Sequence, residues 1–517
     1  MRSMLATHLL EESYNPLTLP PLMQAGQPVE PRSRILFVTP EINDFIKVGG
    51  LGDVSAALPR ALSRQHDIRV LLPGYPQVLD SGRPWKVVGR LPGRAAIPAC
   101  DIALMTLEDG LPVYLVLCPE LYQRDGTPYG DLKGNDWADN HIRFARLSLA
   151  AADMAAGMAG MDWCPQLLHL NDWQTGLAAA YMAWRGQSTP SVLTVHNLGY
   201  QGNCPLNCRA ELDLPDEAGL PESMEFYGRL SFLKAGIAHA SHITTVSQTY
   251  AEEITTDEFG CGLQGMLTRK RDEGLLSGIL HGIDDSWQPD EDPSLVQGFN
   301  AHRQEGKRAN ARHVERHFGL QPDGGPLFAV VSRLVQQKGI DLTLAIADDL
   351  VAAGGRLAVI GRGEPALERA MLELAARHPG RIGVQVDFDE AEARRMFAGS
   401  DFLLMPSRYE PCGLSQMYAQ RFGSLPIARR TGGLADTIED GVTGFLFREE
   451  DPASYWDAVR RALNIYRYPD LLSAMRCKAM ASPLFWQDAV QPYSELYDRL
   501  LEQQARGSVL RLSEARA

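Results

Sequence analysis

No run of about 18 uninterrupted apolar residues occurs in the 517-residue chain, so no membrane-spanning helix is expected. Positive charge is in deficit. The 50 Lys and Arg against 64 Asp and Glu leave a net charge of −14, which excludes a general nucleic-acid surface or an anionic membrane surface but not a local basic pocket. Cysteine is sparse: eight, at positions 100, 118, 164, 204, 208, 261, 412 and 477, too few for a disulfide scaffold. Cys204 and Cys208 are spaced like half of a metal site, but no second Cys/His pair follows at finger-like spacing, so no metal is expected. Residues 1–33 lack the basic start, apolar stretch and cleavage site of a secretory signal, and Glu11, Glu12 and Glu30 are out of place in an organelle-targeting peptide. They read as a loosely ordered extension of a cytoplasmic protein. The length exceeds what one core serves, and 45% hydrophobic with 22% charged residues is the composition of a globular protein, so two domains are expected.

What is present is a repeated alternation of short apolar runs with stretches of helical periodicity. Arg34-Ile35-Leu36-Phe37-Val38-Thr39 has the length and β-branching of a buried strand, and Val54 to Ser63 has helical spacing. Between them lies Lys47-Val48-Gly49-Gly50-Leu51-Gly52-Asp53. Its glycines let a backbone approach a ligand, the following helix N-terminus favours an anion, and Lys47 adds a full charge. The same residues also suit a tight turn with Asp53 as N-cap. A second strand candidate, Asp67–Pro73, ends without the acid that would hold a ribose, which counts against a nicotinamide dehydrogenase. Strands at 113–118, 167–170, 191–195 and 243–246 alternate with helices at 140–156 and up to 184. The pattern predicts a mostly parallel sheet covered on both faces.

The rhythm breaks around His281 to Pro293 and then restarts. Leu327–Val331 runs into Ser332-Arg333-Leu334-Val335-Gln336-Gln337-Lys338-Gly339, and further strands span 356–360, 402–405 and 425–428. The stretch from Ser454 to about Gln504 reads as helical. This predicts an N-terminal domain over 34–282, a C-terminal domain over 283–484, and a C-terminal helix and tail over 485–517 that packs back on the first domain. Both domains are expected to be doubly wound and Rossmann-like, facing each other across a cleft.

Several residues at strand ends carry chemistry. Arg333 and Lys338 share one loop leading into a helix; they suit a diphosphate clamp, a planar fork beside a point charge, or else a solvated pair. Glu410 follows a strand end, and Gly413-Leu414-Ser415 opens a helix. A carboxylate there can bind sugar hydroxyls or stabilise positive charge at an anomeric carbon, or simply complement the helix dipole. Cys412 reads as a packed small residue that a cleft location would expose to thiol reagents. His196 either donates to a substrate oxygen or is structural, and Asp172 is either a helix cap or an acceptor-binding carboxylate.

Taken in order, Lys47 to Asp53, His196-Asn197 with Gly199-Tyr200-Gln201-Gly202, Ser332-Arg333 with Lys338-Gly339, and Pro406-Ser407-Arg408-Tyr409-Glu410-Pro411-Cys412-Gly413-Leu414 resemble bacterial glycogen synthases and plant starch synthases. The resemblance covers about residues 34–500. It implies the α/β GT-B fold and retaining transfer of glucose from ADP-glucose to the 4-OH at the non-reducing end of an α-1,4-glucan such as glycogen, without metal or other cofactor. It further implies that Lys47, Gly49 and Gly50 approach the donor's phosphates and glucose. Arg333 and Lys338 bind the diphosphate and stabilise departing ADP. Glu410 holds the donor glucose, Gly413, Leu414 and Ser415 close round sugar and phosphate, and Phe388 stacks on adenine. His196 lies at the reacting centre, touching the glucose and offering its backbone carbonyl oxygen near the anomeric carbon, and Tyr129 and Asp172 stand on the acceptor side. Gln174, Phe388 and Tyr418 depart from patterns common in related transferases: Gln174 replaces a His, Phe388 a Tyr, and Tyr418 a second Glu that these synthases also tend to lack. UDP-glucose as donor, a different acceptor, or a silent glucan-binding homologue are the alternatives; the presence of Lys47, His196, Arg333, Lys338 and Glu410 together weighs against the last.

Overall fold

The computed structural model describes residues 32–158 and 160–514, with side chains to 507. The expected N-terminal extension therefore lies almost wholly outside the described residues. The first half contributes β1 (Arg34–Val38), β2 (Asp67–Pro73), β3 (Trp85–Leu91), β4 (Cys100–Thr106), β5 (Pro112–Leu117), β6 (Leu167–Asn171), β7 (Ser191–Val195), β8 (Asn203–Pro205), β9 (Glu225–Phe226), β10 (Arg229–Ser231), β11 (His242–Thr245) and β12 (Leu276–Gly278). Nine of these form one sheet in the order β12-β11-β7-β6-β1-β2-β5-β4-β3. It is parallel except at β3 and β4, which add an antiparallel edge to β5. β8, β10 and β9 form a small antiparallel sheet of their own.

The second half contributes β13 (Leu327–Val331), β14 (Arg356–Ile360), β15 (Ile382–Gln385), β16 (Phe402–Met405), β17 (Leu425–Arg429) and β18 (Phe445–Phe447), all parallel in the order β15-β14-β13-β16-β17-β18. The central strands of both sheets are buried along their length, which explains why their sequences read as unbroken apolar runs rather than alternation. In each sheet the strand order reverses beside the strand that starts the unit, β1 in one and β13 in the other. A doubly wound sheet opens a ligand crevice at that switch point, beyond the carboxyl ends of the strands.

The ends of the chain tie the halves together. Ile283 pairs with Phe485, and Trp486 stands 5.2 Å from His281 between ring centroids. The helix Gln491–Glu514 lies against the N-terminal sheet: Tyr497 Oη is 2.5 Å from His169 Nδ1, and Ser494 Oγ is 2.7 Å from His66 Nε2. Closer to the cleft, Ser247 Oγ donates to the Pro411 carbonyl at 2.6 Å and Thr431 Oγ1 to Glu253 at 2.8 Å.

Three local readings differ from the structure. The first helix starts at Gly50, not Val54, because Gly49 takes an extended conformation and hands directly into the helix. The C-terminal helical stretch is broken into Pro452–Tyr466, Pro469–Met480, Trp486–Ala489 and Gln491–Glu514, with prolines 469 and 483 at or beside the breaks. The small sheet of β8 to β10 is absent from the sequence reading because strands of two or three residues carry no usable period, and so is the antiparallel edge of β3 and β4, where β3 is largely exposed and gives no apolar run.

Candidate active site

A cleft of about 1760 Å³ lies between the two sheets, lined from both sides. On the N-terminal side the loop after β1 carries Lys47, Gly49 and Gly50 into its wall. Gly49 precedes the helix with φ −147° and ψ −166°, so the glycine-rich stretch supplies both the loop and the helix's first turn. Asp53 does not cap that helix. It pairs with Lys47 Nζ at 2.7 Å and accepts from Asn43 Nδ2 at 3.0 Å, because the early start places it within the first turn.

Glu41, absent from the sequence reading, anchors this loop. It is 2% exposed, accepts from the Val48 N–H at 2.5 Å and from Tyr129 Oη at 3.1 Å. Burial pushes its carboxyl up to about 7, against which the Val48, Tyr129 and Gly49 donors pull only partly. Its position three residues past the end of β1 is the signal that would have found it. Tyr129 is held in turn by Asn140 Nδ2, which donates to its carbonyl at 2.8 Å.

Asp172 and His196 directly follow the neighbouring strands β6 and β7. Asp172 has φ +55° at the start of the helix Trp173–Trp184, yet its side chain makes no cap bond. It turns to the other strand and accepts from the His196 N–H at 2.7 Å and from the Asn197 main chain. Burial, with a contribution from Glu41, raises it to about 7. The reading of Asp172 as a helix cap is thereby corrected: its hydrogen bonds hold the His196-Asn197 turn in place.

Of the two readings of the His196 side chain, the structural one holds. Asn171 Nδ2 donates to the Val38 carbonyl at 2.9 Å, which leaves Asn171 Oδ1 as an acceptor 2.9 Å from His196 Nε2. The Nε2 proton therefore points at Asn171 and not at a substrate oxygen. Burial lowers the imidazole to about 3, so the ring is neutral. What His196 leaves available is its main-chain carbonyl, which takes no hydrogen bond among the described residues.

On the C-terminal side, Arg333 follows β13, and Gln336–Lys338 form a short 3-10 turn. Gly339 ends that turn at φ +65°, and a Cβ on it would lie 2.0 Å from the Pro406 carbonyl oxygen. Only glycine allows the two loops to pack this closely. The close approach sets Lys338 Nζ 2.5 Å from Glu410 Oε2, which also accepts from Ser407 Oγ at 3.0 Å. Glu410 is 6% exposed. Arg333 is exposed, makes no ion pair among the described residues and reaches only Gln337, at 3.2 Å. The cleft thus holds one neutralised carboxylate and one uncommitted guanidinium on the same wall.

Gly413, at φ +69°, precedes Leu414 and the helix Ser415–Arg421. An ideal Cβ on Gly50 would lie 3.7 Å from a Leu414 methyl, so the two glycine loops meet across the cleft. Phe388 lines it with 62% of its surface exposed, a free aromatic face. Tyr418 stacks on Trp287 with centroids 3.5 Å apart and planes at 13°, and the Arg394 guanidinium covers Trp287 at 3.8 Å. Gln174 is buried in the wall, its Oε1 without a partner. Cys412 is the packed small residue its sequence context suggests: although the cleft passes it, it is 8% exposed, and burial pushes its thiol up to about 12, so it is closed to thiol reagents.

All the residues singled out in the sequence, Lys47, Gly49, Gly50, Tyr129, Asp172, His196, Arg333, Lys338, Phe388, Glu410, Gly413, Leu414 and Ser415, line this one cleft. Two families match the chain in tandem: the starch synthase catalytic domain over residues 34–269, and glycosyl transferases group 1 over residues 325–464. The glycogen synthase of Pseudomonas paraeruginosa is 67% identical over 496 residues, 96% of this chain and 97% of that protein. The glycogen synthase of Pseudomonas syringae pv. tomato is 62% identical over 471 residues, 91% of this chain and 97% of its own. Among solved structures, the catalytic domain of starch synthase IV from Arabidopsis thaliana bound to ADP and acarbose superposes with a TM-score of 0.80 at 31% identity, covering 91% of this chain and all of that one. Sucrose-phosphate synthase from Thermosynechococcus elongatus, at 16% identity and a TM-score of 0.57, shares the fold.

Proposed function

Because the chain belongs to the glycogen and starch synthase family of GT-B glycosyltransferases, we propose that it lengthens an α-1,4-glucan such as glycogen by retaining transfer of glucose from ADP-glucose. The observation that carries the reading is the convergence on one cleft of the Lys47–Gly50 loop, the His196 turn and the Lys338–Glu410 pair, contributed by two separate sheets. ADP-glucose would lie with its diphosphate toward Arg333, Lys338 and the helix beginning at Ser415, and its base toward Phe388. Arg333 and Lys338 bring cationic charge to the oxygens that become negative as the bond from C1 to phosphate breaks.

Glu410, neutralised by Lys338, is placed to bind sugar hydroxyls; a pair of carboxylates about 5 Å apart, as a double-displacement glycosidase needs, is not what this wall offers. That favours a front-face route. The glucosyl group develops oxocarbenium character, the acceptor 4-OH attacks from the side the phosphate leaves, and its proton passes to a departing phosphate oxygen. The His196 carbonyl faces positive charge at C1, and Tyr129 and Asp172 border the acceptor. Since the chain's own cations meet the leaving-group charge, transfer is proposed to continue in EDTA.

The test is incubation with ADP-glucose and glycogen, followed by NMR of the new linkage. Growth of α-1,4 signal supports the reading. A β-linked product, or no growth from a folded protein, contradicts it.

A further inference from the structure

The rim of the cleft at the acceptor end carries a second group of reactive side chains that the transfer does not use. His141 is the second residue of the helix Asn140–Ala155, and Cys204, Cys208 and Glu211 come from β8 and the short helix Cys208–Glu211. All four line the cleft. His141 Nε2 lies 3.2 Å from Glu211 Oε2. A sulfur, nitrogen and oxygen from Cys208, His141 and Glu211 all fall within 4.8 Å of one another. The Cys204 thiol donates a hydrogen bond to Cys208, and both cysteines are buried and free of disulfide.

From these positions the geometry points to a binding site for a thiophilic divalent cation of the zinc class, held by Cys208, His141 and Glu211, with the neighbouring Cys204 thiol turning in as the fourth donor. Around tetrahedral zinc, with bonds of about 2.0 to 2.3 Å, neighbouring ligand atoms stand about 3.3 to 3.8 Å apart. The His141–Glu211 separation is already near that, and the Cys208 sulfur lies within 4.8 Å of both. Two thiols, an imidazole and a carboxylate are also the donor types that favour zinc over magnesium or calcium. Each thiol gives up its proton to solvent as the ion binds. In sequence Cys204 and Cys208 stand four apart, with no second Cys/His pair at finger-like spacing after them. The remaining ligands come from a helix start more than sixty residues earlier and from the last residue of the short helix.

The site has a mechanical consequence. Asn140, next to His141, holds Tyr129, and Gly202, just before β8, packs against Trp173 beside Asp172. An ion joining His141 to the 204–211 segment staples two walls of the acceptor end. Resting on the function proposed above, zinc is expected to raise the KM for glucan and leave that for ADP-glucose unchanged.

The binding itself is tested independently of activity. The reduced, full-length protein is titrated with Zn²⁺ against a chromophoric chelator, and with Co²⁺ to read thiolate-to-cobalt charge-transfer absorption. One equivalent is expected, with a charge-transfer band. Second-shell losses at zinc sites weaken binding about 10- to 100-fold, so Cys208→Ser and His141→Ala, which remove ligands, are expected to weaken it at least as much. Glu211 is exposed, so Glu211→Gln folds normally and serves where the buried substitutions unfold the protein. A second cluster, His313, His317 and Glu392, lies on the C-terminal half, and His317→Ala separates the two. Zinc binding that is absent, that survives unchanged in Cys208→Ser and Glu211→Gln, or that disappears only in His317→Ala overturns the proposal.

Discussion

Replacing Glu41 by glutamine removes a buried titratable carboxyl from the cleft wall and leaves its shape. The native carboxyl is raised from its ordinary 4.5 to about 7, chiefly by burial. The folded state therefore holds this proton more tightly than the unfolded chain. Stability from the group is complete below about pH 4.5 and is lost as pH climbs through about 7. At about 1.4 kcal/mol per tenfold difference in proton affinity, the loss amounts to about 3 kcal/mol. Asp172, raised to about 7 and coupled to Glu41, shifts in the same direction. Glutamine at position 41 still accepts from the Val48 N–H but carries no charge to desolvate. Urea denaturation of wild type and Glu41→Gln across the acid-to-neutral range measures the effect. The two midpoints should coincide near pH 4, and the variant should gain up to about 3 kcal/mol by pH 8. Parallel curves at all pH values, or a variant less stable at pH 8, would refute the reasoning. Transfer activity above about pH 7 should fall in the same variant, because there the loop carrying Lys47 loses its ionised anchor.

Asp172→Asn should fold, since asparagine tolerates the +55° φ, but the bond from the His196 N–H loses its charge. The weakening is worth about 1 to 2 kcal/mol, and kcat/KM should drop about tenfold or more. Gly339→Ala places a methyl 2.0 Å from the Pro406 oxygen at a φ that alanine resists. It should lower the urea midpoint and displace Lys338, with a loss in kcat of about 100-fold or more. Under native conditions Ellman's reagent should label exposed Cys261 and leave Cys412 untouched, so Cys261→Ser loses a reactive thiol and Cys412→Ser does not. Trp287→Ala removes the partner of both Tyr418 and Arg394 and should destabilise the protein by about 3 to 5 kcal/mol.

The alternation of strands and helices was legible because the central strands are covered on both faces and therefore apolar throughout. The strand-end loops were legible because glycine and charge cluster there. Glu41 was not, since an isolated acid after Thr39-Pro40 has no spacing partner in sequence; its meaning comes from Tyr129, 88 residues away. The orientation of the His196 ring was equally hidden, being set by Asn171 on the adjacent strand. Asp53 looked like a cap because the helix was read as starting too late; once glycines 50 and 52 lie inside the helix, the acid falls in the first turn and meets Lys47 instead. The rim cluster of His141, Cys204, Cys208 and Glu211 was invisible for the same reason as Glu41: folding, not spacing, assembles it.

The central claim is that Lys338 and Glu410 form the donor-side machinery of an ADP-glucose-dependent glucan elongation. It is tested most directly by glucose incorporation into glycogen from ADP-glucose and, separately, UDP-glucose, with Lys338→Ala and Glu410→Ala beside the wild type. Rapid incorporation from ADP-glucose, little from UDP-glucose, and loss of about 100-fold or more in both variants is the predicted result. Incorporation that prefers UDP-glucose, or that persists in either folded variant, would contradict it.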